Sequence, residues 1–256
     1  MNLYGTRHGL MLLRSSTDLI SNTLINTGSY EYEVVDLCAT LAQGYESGYI
    51  VDIGANMGTV TVPLAKRFPW YKVRSYEPQR RVFYQLAGNV FVNDLDNVEI
   101  FQHGLGASAG MIHIDMPNYG TDANIGAWSM DDQVRLNSFE GKGGGAVETV
   151  RIEVLNDQVF DQPIRVIKID VEGMELEVLT GADKLLAVHK YPPLVYECWQ
   201  QYEWHMAKAQ RLDNLVQSMG YETHHIRNTT FAIHRDREIE VTWHGGAMRI
   251  DRKKDL

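Results

Sequence analysis

The chain has 256 residues, of which 44% are hydrophobic and 22% are charged, and its formal net charge is −9 at pH 7. These proportions are ordinary for a globular protein with one domain or at most two small ones. Because clustered lysine and arginine are needed to neutralise a nucleic-acid backbone, the negative charge disfavours nucleic acid as a partner. No stretch approaches the roughly 18 apolar residues of a membrane helix, so no membrane partner is expected.

The cysteine content and the first residues indicate a cellular location. The only two cysteines, Cys38 and Cys198, lie far apart in the sequence. This disfavours a disulfide framework and a cysteine-rich zinc site. The opening stretch MNLYGTRHGLMLLR lacks the long apolar run and the cleavage site of a signal peptide. We therefore predict a reducing, cytoplasmic location.

The N-terminal segment carries apolar residues at helical spacing with polar breaks. Leu10 and Leu13 begin this pattern, which continues to about residue 47. We predict an N-terminal helical cap over residues 1–47.

From residue 48 onward, short apolar runs alternate with helical patterns. Such alternation predicts an α/β fold with a mostly parallel sheet and helices on both faces. An antiparallel hairpin is predicted at the end, and the domain is expected to span residues 48–235, followed by a C-terminal tail over 236–256. The predicted strands are Tyr49–Ile53, Val73–Glu77, Val98–His103, Ile164–Ile169 and Leu194–Glu197, and the hairpin runs from Tyr221 to Arg235.

The alternation breaks between about residues 107 and 163. Met111–Ile114 and Val150–Val154 look like additional strands, and the glycine run from Gly141 to Gly145 predicts a loop. Trp128 lies in the same insertion, which is expected to overhang the carboxyl ends of the main strands. Trp128 either flanks a bound adenine, shapes an acceptor pocket or packs locally.

The stretch Val51-Asp-Ile-Gly-Ala-Asn-Met-Gly58 predicts a ligand-binding turn between a strand and a helix. Gly54 and Gly58 have no Cβ atom, so they tolerate positive φ and let a ligand approach the backbone. The start of the helix presents free N–H groups, which suit a carboxylate or a phosphate. Asp52, at the end of the strand, is placed to receive an ammonium group.

Glu77 ends the next predicted strand, where an acidic side chain can accept hydrogen bonds from ribose hydroxyls. A dinucleotide-binding loop has the pattern Gly-x-Gly-x-x-Gly, whereas here Asn56 lies between two glycines spaced Gly-x-x-x-Gly. The acid before the loop would repel a pyrophosphate and attract an ammonium group. The pattern thus favours S-adenosylmethionine over a nicotinamide cofactor. His103, at the end of the third strand, is a candidate for contact with adenine or for a base.

These motifs, with Tyr-Glu-Pro at 76–78 and Ile-Lys-Ile-Asp-Val-Glu-Gly-Met-Glu at 167–175, resemble the FkbM family of methyltransferases over roughly residues 49–235. The resemblance implies a class I methyltransferase with a Rossmann-like sheet that usually methylates a hydroxyl, often on a sugar or a natural product. One departure is Pro63, which falls early in the first helix and removes a backbone donor. The positions that match the family's cofactor-binding residues are Asp52, Gly54, Asn56, Gly58 and Glu77.

Three acids are the candidate catalytic residues. Asp170 ends one strand, Glu172 follows it in the turn, and Glu197 ends a neighbouring strand. A hydroxyl is a poor nucleophile at neutral pH, so its methylation is aided by a base or a metal ion. Asp170 and Glu197 either share a proton, so that one carboxylate acts as a base, or hold a divalent ion such as Mg²⁺. Glu175 is interpreted as a helix cap.

The sequence therefore predicts an S-adenosylmethionine-dependent methyltransferase that acts on a hydroxyl of a small molecule or a saccharide. One alternative is N-methylation by the same fold, since an amine needs less help from a base. The other is a cofactor-binding module without turnover, although such a module has no need of the acids that follow Asp170.

Overall fold

The computed structural model describes residues 1–14, 18–115, 128–137, 146–244 and 247–252. The helices are α1 (Leu19–Thr27), α2 (Tyr32–Ala42), α3 (Thr61–Arg67), α4 (Arg80–Val92), α5 (Asp132–Asn137), α6 (Glu175–Thr180), α7 (Asp183–Val188) and α8 (Glu203–Ser218), with a 3-10 turn at Leu155–Asp157. The strands are β1 (Asn2–Thr6), β2 (Gly9–Leu13), β3 (Tyr49–Ile53), β4 (Lys72–Tyr76), β5 (Val98–Phe101), β6 (Gly104–Leu105), β7 (Gly110–Asp115), β8 (Val147–Glu153), β9 (Ile164–Ile169), β10 (Leu194–Glu197), β11 (Tyr221–Ile226), β12 (Thr229–His234), β13 (Ile239–His244) and β14 (Ala247–Arg252).

A seven-stranded sheet organises the described residues, in the order β11-β12-β10-β9-β3-β4-β5. The strands from β10 to β5 pair in parallel, and β12 joins β10 and β11 antiparallel. The predicted mostly parallel sheet with a C-terminal antiparallel hairpin is therefore confirmed. Because the chain continues to β4 on one side of β3 and returns to β9 on the other, a crevice opens at the carboxyl end of β3.

The central strands are buried on both faces, which explains their nearly continuous apolar sequences. In β3, Tyr49, Val51 and Ile53 face one core with side chains of α6, α7 and α8, while Ile50 faces a second core with α2 and α3. Successive side chains of a strand point to opposite faces, so Asp52 shares the face of Ile50. This alternation along each strand decides which face of the sheet a polar side chain of the site points to.

The start of the chain differs from its prediction. Residues 2–13 form the antiparallel hairpin β1–β2 and not a helix. In β2, Met11 and Leu13 are fully buried while Leu10 is 41% exposed, so burial there follows the two-residue period of a strand. The helical part of the prediction is confirmed from Leu19 onward by α1 and α2.

Elsewhere most of the predicted elements are confirmed at shifted bounds. The strand predicted at 98–103 ends at Phe101 in β5, and the residues predicted as a tail contain the hairpin β13–β14. The two strands predicted in the insertion are β7 and β8, which pair antiparallel. The glycine run from Gly141 to Gly145 lies outside the described residues. In the described part of the chain, every helix is too short or too polar to cross a membrane.

Candidate active site

The turn after β3 is fixed by its backbone. Gly54 has φ +75°, and a Cβ atom there would overlap the carbonyl oxygen of Asp170, so only glycine fits. The N–H groups of Gly54 and Ala55 both donate to the carbonyl of Tyr76, at 3.0 and 2.9 Å. Helix α3 begins only at Thr61, later than the sequence pattern indicates. An extended turn, and not a helix start, therefore meets the crevice.

The carboxylate of Glu77, which follows β4, bridges the turn after β4 and the turn after β3. Its Oε2 accepts a hydrogen bond from the backbone N–H of Asn56 at 3.0 Å, and its Oε1 accepts one from that of Gln79 at 2.8 Å. Asn56 has a left-handed φ of 51°, a conformation that asparagine tolerates better than most residues. Burial raises the pKa of Glu77 to about 7, against the opposing effect of the two N–H groups.

The first cavity opens beside Glu77 and encloses about 560 Å³, counting its open mouth. Gly54, Asn56, Glu77, His103 and Trp128 all line it. The Nε2 atom of His103 lies 3.4 Å from a carboxylate oxygen of Glu153, and the indole N–H of Trp128 is buried without an acceptor among the described residues. The structure thus brings together most of the side chains predicted to bind the cofactor.

Asp52, near the end of β3, lies away from this cavity. It is fully buried and, among the described residues, lines neither the first cavity nor the second one described below. Its Oδ2 accepts a hydrogen bond from the Thr61 hydroxyl at 2.6 Å, and its Oδ1 lies 3.2 Å from Nζ of Lys168. Direct contact with a ligand's ammonium group stays a prediction, because the structure gives this carboxylate a cation of its own.

Lys168 connects Asp52 to the crevice. Its Nζ donates to the carbonyl of Gly54 at 2.7 Å and lies 3.5 Å from Oδ2 of Asp170. Burial by itself lowers the pKa of Lys168, but Asp52 and Asp170 outweigh it and raise the pKa above its ordinary value. Lys168 therefore stays charged and joins the turn after β3 to the end of β9.

Gly58 is also away from both cavities among the described residues. It has φ +94°, and an added Cβ atom would approach the side chain of Leu86 to 2.9 Å. Backbone conformation and packing against α4 explain this glycine, so its predicted contact with the cofactor stays untested.

A second cavity of about 630 Å³, counting its open mouth, lies behind the same turn. It shares Gly54, Asn56, Asp170 and Glu172 with the first cavity and adds Glu197 and Lys168. Ligand oxygens of Asp170, Glu172 and Glu197 lie within 4.8 Å of one another, and we call these three residues the carboxylate cluster. The structure thus brings the three predicted catalytic acids to one point.

The turn after β9 holds this cluster in place. Glu172 has a left-handed φ of 55°, and the Ser129 hydroxyl donates to its carbonyl at 2.5 Å. One carboxylate oxygen of Glu175 accepts from the N–H groups of Val171 and Gly173 at 3.0 and 3.3 Å. Glu175 therefore caps the turn, in agreement with its structural interpretation.

Two residues of the second cavity, Tyr30 and Glu31, come from the segment between α1 and α2, and sequence patterns do not reveal them. The buried ring of His8 positions them: its Nδ1 contacts the carbonyl of Thr59 at 2.6 Å, and its Nε2 accepts from the N–H of Tyr30 at 3.0 Å. His8 is therefore neutral with its proton on Nδ1. Burial lowers its pKa and favours that state.

A parallel sheet with a crevice at its switch point, a glycine turn after the central strand and an acid after the next one fit the fold of an S-adenosylmethionine-dependent methyltransferase. The sequence profile of the Methyltransferase FkbM domain matches residues 52–238, and the chain therefore belongs to the FkbM methyltransferase family. The resemblance predicted from the motifs is confirmed.

Two relatives of this chain are also named as methyltransferases. Methyltransferase sdnD of Sordaria araneosa is 30% identical in an alignment of 176 positions that covers 60% of this chain and 68% of that one. Methyltransferase 1 of Beauveria bassiana is 25% identical over 159 residues, covering 58% of this chain and 64% of that one. A solved S-adenosylmethionine-dependent O-methyltransferase from Thermotoga maritima has a TM-score of 0.46 and 11% identity, over 98% of this chain and 79% of that one.

Proposed function

We propose that the chain transfers the methyl group of S-adenosylmethionine to a hydroxyl of a small molecule or a saccharide, with a carboxylate of the cluster as the base. The observation that carries this proposal is the position of the carboxylate cluster: Asp170 and Glu172 line both cavities, and Glu197 lines the second one beside them. A cofactor in the first cavity and an acceptor in the second would meet at these acids. Holding both reactants in line supplies much of the rate enhancement of such a transfer.

The methyl transfer needs one group that accepts the proton released by the hydroxyl. The acceptor's O–H bond and the cofactor's S–CH₃ bond break, an O–CH₃ bond forms, and S-adenosylhomocysteine leaves as a neutral thioether. The released proton passes to a carboxylate of the cluster. Burial first, and then the neighbouring acids, raise the pKa of Glu172 and Glu197 well above their ordinary values. A carboxylate whose pKa is raised is a stronger base, and so better suited to accept such a proton, than a carboxylate in water.

A divalent cation is the other means of relieving repulsion among these acids. Mg²⁺ prefers oxygen ligands, and the cluster offers three carboxylates close enough to share one ion. Bound there, it would lower the pKa of the acceptor hydroxyl. Lys168 already places a positive charge 3.5 Å from Asp170, so we favour the base without a metal.

A screen with a radiolabelled methyl donor tests the proposal. Alcohols and monosaccharides are offered beside matched amines, each before and after exhaustive treatment with EDTA. We expect label in hydroxyl compounds that survives chelation. Loss of activity that Mg²⁺ restores would establish the metal-dependent route, and label confined to amines would establish N-methylation. Tight S-adenosylhomocysteine binding without any labelled product would favour a binding module.

A further inference from the structure

A groove larger than either cavity lies on the outer side of Glu31. It runs between α2, the turn of the β11–β12 hairpin and β14, and it encloses about 1700 Å³, counting its open mouth. Its apolar lining comes from residues distant in sequence, namely Val34, Leu37, Ile226, Met248 and Ile250. Elements from both ends of the chain thus build one surface, and we call it the outer groove.

The outer groove adjoins the second cavity. Glu31 and Val34 line both of them, so the groove and the cavity that holds the carboxylate cluster meet at these two residues. Glu31 has a left-handed φ of 44° and makes no capping hydrogen bond with its side chain, although it immediately precedes α2. A non-glycine residue in this conformation is strained and persists where the surroundings impose it. The strain therefore lies at the junction between cavity and groove.

The two compartments differ in chemistry. The wall of the second cavity carries the three acids of the carboxylate cluster together with Lys168. The outer groove combines its five apolar side chains with a polar margin that includes Glu33, Asp36 and Arg227. A ligand that occupied both would need a polar end for the acids and an apolar part for the groove, because ligand sites combine apolar walls with a few orienting polar groups.

We infer that the methyl acceptor is an elongated amphipathic molecule, whose hydroxylated head enters the second cavity and whose apolar body of several carbon atoms lies in the outer groove. The inference rests on the proposed function, because it takes the second cavity as the place of the reacting hydroxyl. The groove and the second cavity adjoin at Glu31 and Val34, which suits a small molecule long enough to reach from one into the other.

A series of n-alkyl β-D-glucopyranosides with methyl, butyl, hexyl and octyl chains tests the length of the acceptor. The hydroxylated head is constant and only the apolar body grows. Each probe is titrated by calorimetry into the full chain saturated with S-adenosylhomocysteine, and each is offered as an acceptor of labelled methyl. We expect affinity to rise about threefold to fourfold for each methylene that enters the groove, since burying one contributes roughly 0.8 kcal/mol. Equal affinity for the methyl and octyl compounds, or no binding by any of them, overturns the inference.

Substitutions in the outer groove test whether the apolar body of the acceptor binds there. Met248→Asp and the milder Met248→Ala change the groove, and Val188→Asp is the matched control, because Val188 is 76% exposed at the end of α7 and outside the described lining. The ratio of octyl to methyl affinity should fall toward one in Met248→Asp, fall partly in Met248→Ala and persist in Val188→Asp. S-adenosylhomocysteine affinity reports whether each variant is folded. A ratio that persists in both Met248 variants overturns the inference.

Measuring glucoside binding and methyl transfer separately distinguishes the groove inference from the proposed hydroxyl methylation. Chain-length-dependent binding without labelled glucoside would contradict hydroxyl methylation of such heads and leave the groove assignment standing. Label transfer that is independent of chain length, with uniform affinities, would contradict the groove and support the hydroxyl transfer.

Discussion

The two cavities meet at one wall but are built in different ways. The first is fixed by local hydrogen bonds at neighbouring strand ends, where the Glu77 carboxylate accepts from the backbone N–H groups of Asn56 and Gln79. The second gathers charged residues from distant parts of the chain, with Glu31 facing the same space as Glu197. The proposed cofactor side can thus be specified by local motifs, whereas the proposed acceptor side depends on the assembly of the whole fold.

The largest expected effect concerns the acceptor side. Asp170→Asn keeps the size of the side chain but removes its negative charge and most of its capacity to accept a proton. We expect turnover to fall by about 100- to 10,000-fold, the usual contribution of general base catalysis, with S-adenosylhomocysteine affinity unchanged. Single-turnover rates and calorimetry measure the two quantities. Asp236→Asn is the control, since its side chain is 81% exposed, and normal turnover in Asp170→Asn contradicts the assignment of the cluster.

Lys168 lies where the two regions join, and its removal tests the buried ion pair. Lys168→Met leaves Asp52 buried without a counter-charge, so the free energy of unfolding should fall by about 3–5 kcal/mol. Urea denaturation measures the loss.

Adding Asp52→Asn to Lys168→Met should restore part of that stability, because the uncompensated charge is then gone. Additive effects in the double-mutant cycle would show that the two side chains are not coupled. The same Asp52→Asn variant, titrated with S-adenosylhomocysteine, measures whether this carboxylate also contributes to cofactor affinity.

Glu175 gives a pH-dependent test of the turn below the cluster. Burial raises its pKa to about 7, so the folded state favours the neutral acid, and stability is lost as the pH rises from about 4.5 through 7. In Glu175→Gln the amide oxygen can still accept from Val171 and Gly173, and no charge is buried. We expect the variant to gain stability over the wild type by up to about 3 kcal/mol at pH 8 and much less at pH 5.

Denaturation curves at the two pH values measure this difference. Glu203→Gln, an exposed acid at the start of α8, should show no such trend. A Glu175→Gln difference that is the same at both pH values is the result that contradicts a raised pKa.

The smallest expected effect lies on the cofactor side. Glu77→Ala removes the acceptors of two backbone N–H groups, which are also the acceptors predicted for the ribose. S-adenosylhomocysteine affinity should fall by about 1.5–3 kcal/mol, roughly ten- to a hundredfold. Glu77→Gln keeps one accepting oxygen and should lose less. Equal binding by Glu77→Ala and the wild type, in calorimetry, would place the ribose elsewhere.

These differences explain what the sequence could predict. Gly54 and Glu77 follow consecutive strands at the start of the domain, and parallel strands bring such residues to the same edge of the sheet. Asp170 and Glu197 were predictable for the same reason. Their convergence within 4.8 Å follows from the adjacent pairing of β9 and β10.

The remaining features could not be predicted because they depend on tertiary contacts. Tyr30 and Glu31 lie between two helices, and only the contacts of His8 with Thr59 and Tyr30 show that this segment reaches the site. In the N-terminal hairpin, the three-residue spacing of Leu10 and Leu13 resembled a helix, whereas burial follows a two-residue period. Asp52 is predicted to receive an ammonium group because it ends a strand before the glycine turn, whereas its ion pair with Lys168 of β9 is a tertiary contact that this pattern does not contain.

The wall formed by Gly54, Asn56, Asp170 and Glu172 belongs to both cavities. Occupants of the two cavities would therefore contact the same four residues, and this gives them a direct means of thermodynamic linkage. Linkage is reciprocal: whatever factor a bound acceptor changes in the affinity for the cofactor product, the product changes in the affinity for the acceptor. With the proposed occupants, such coupling needs no distant regulatory site.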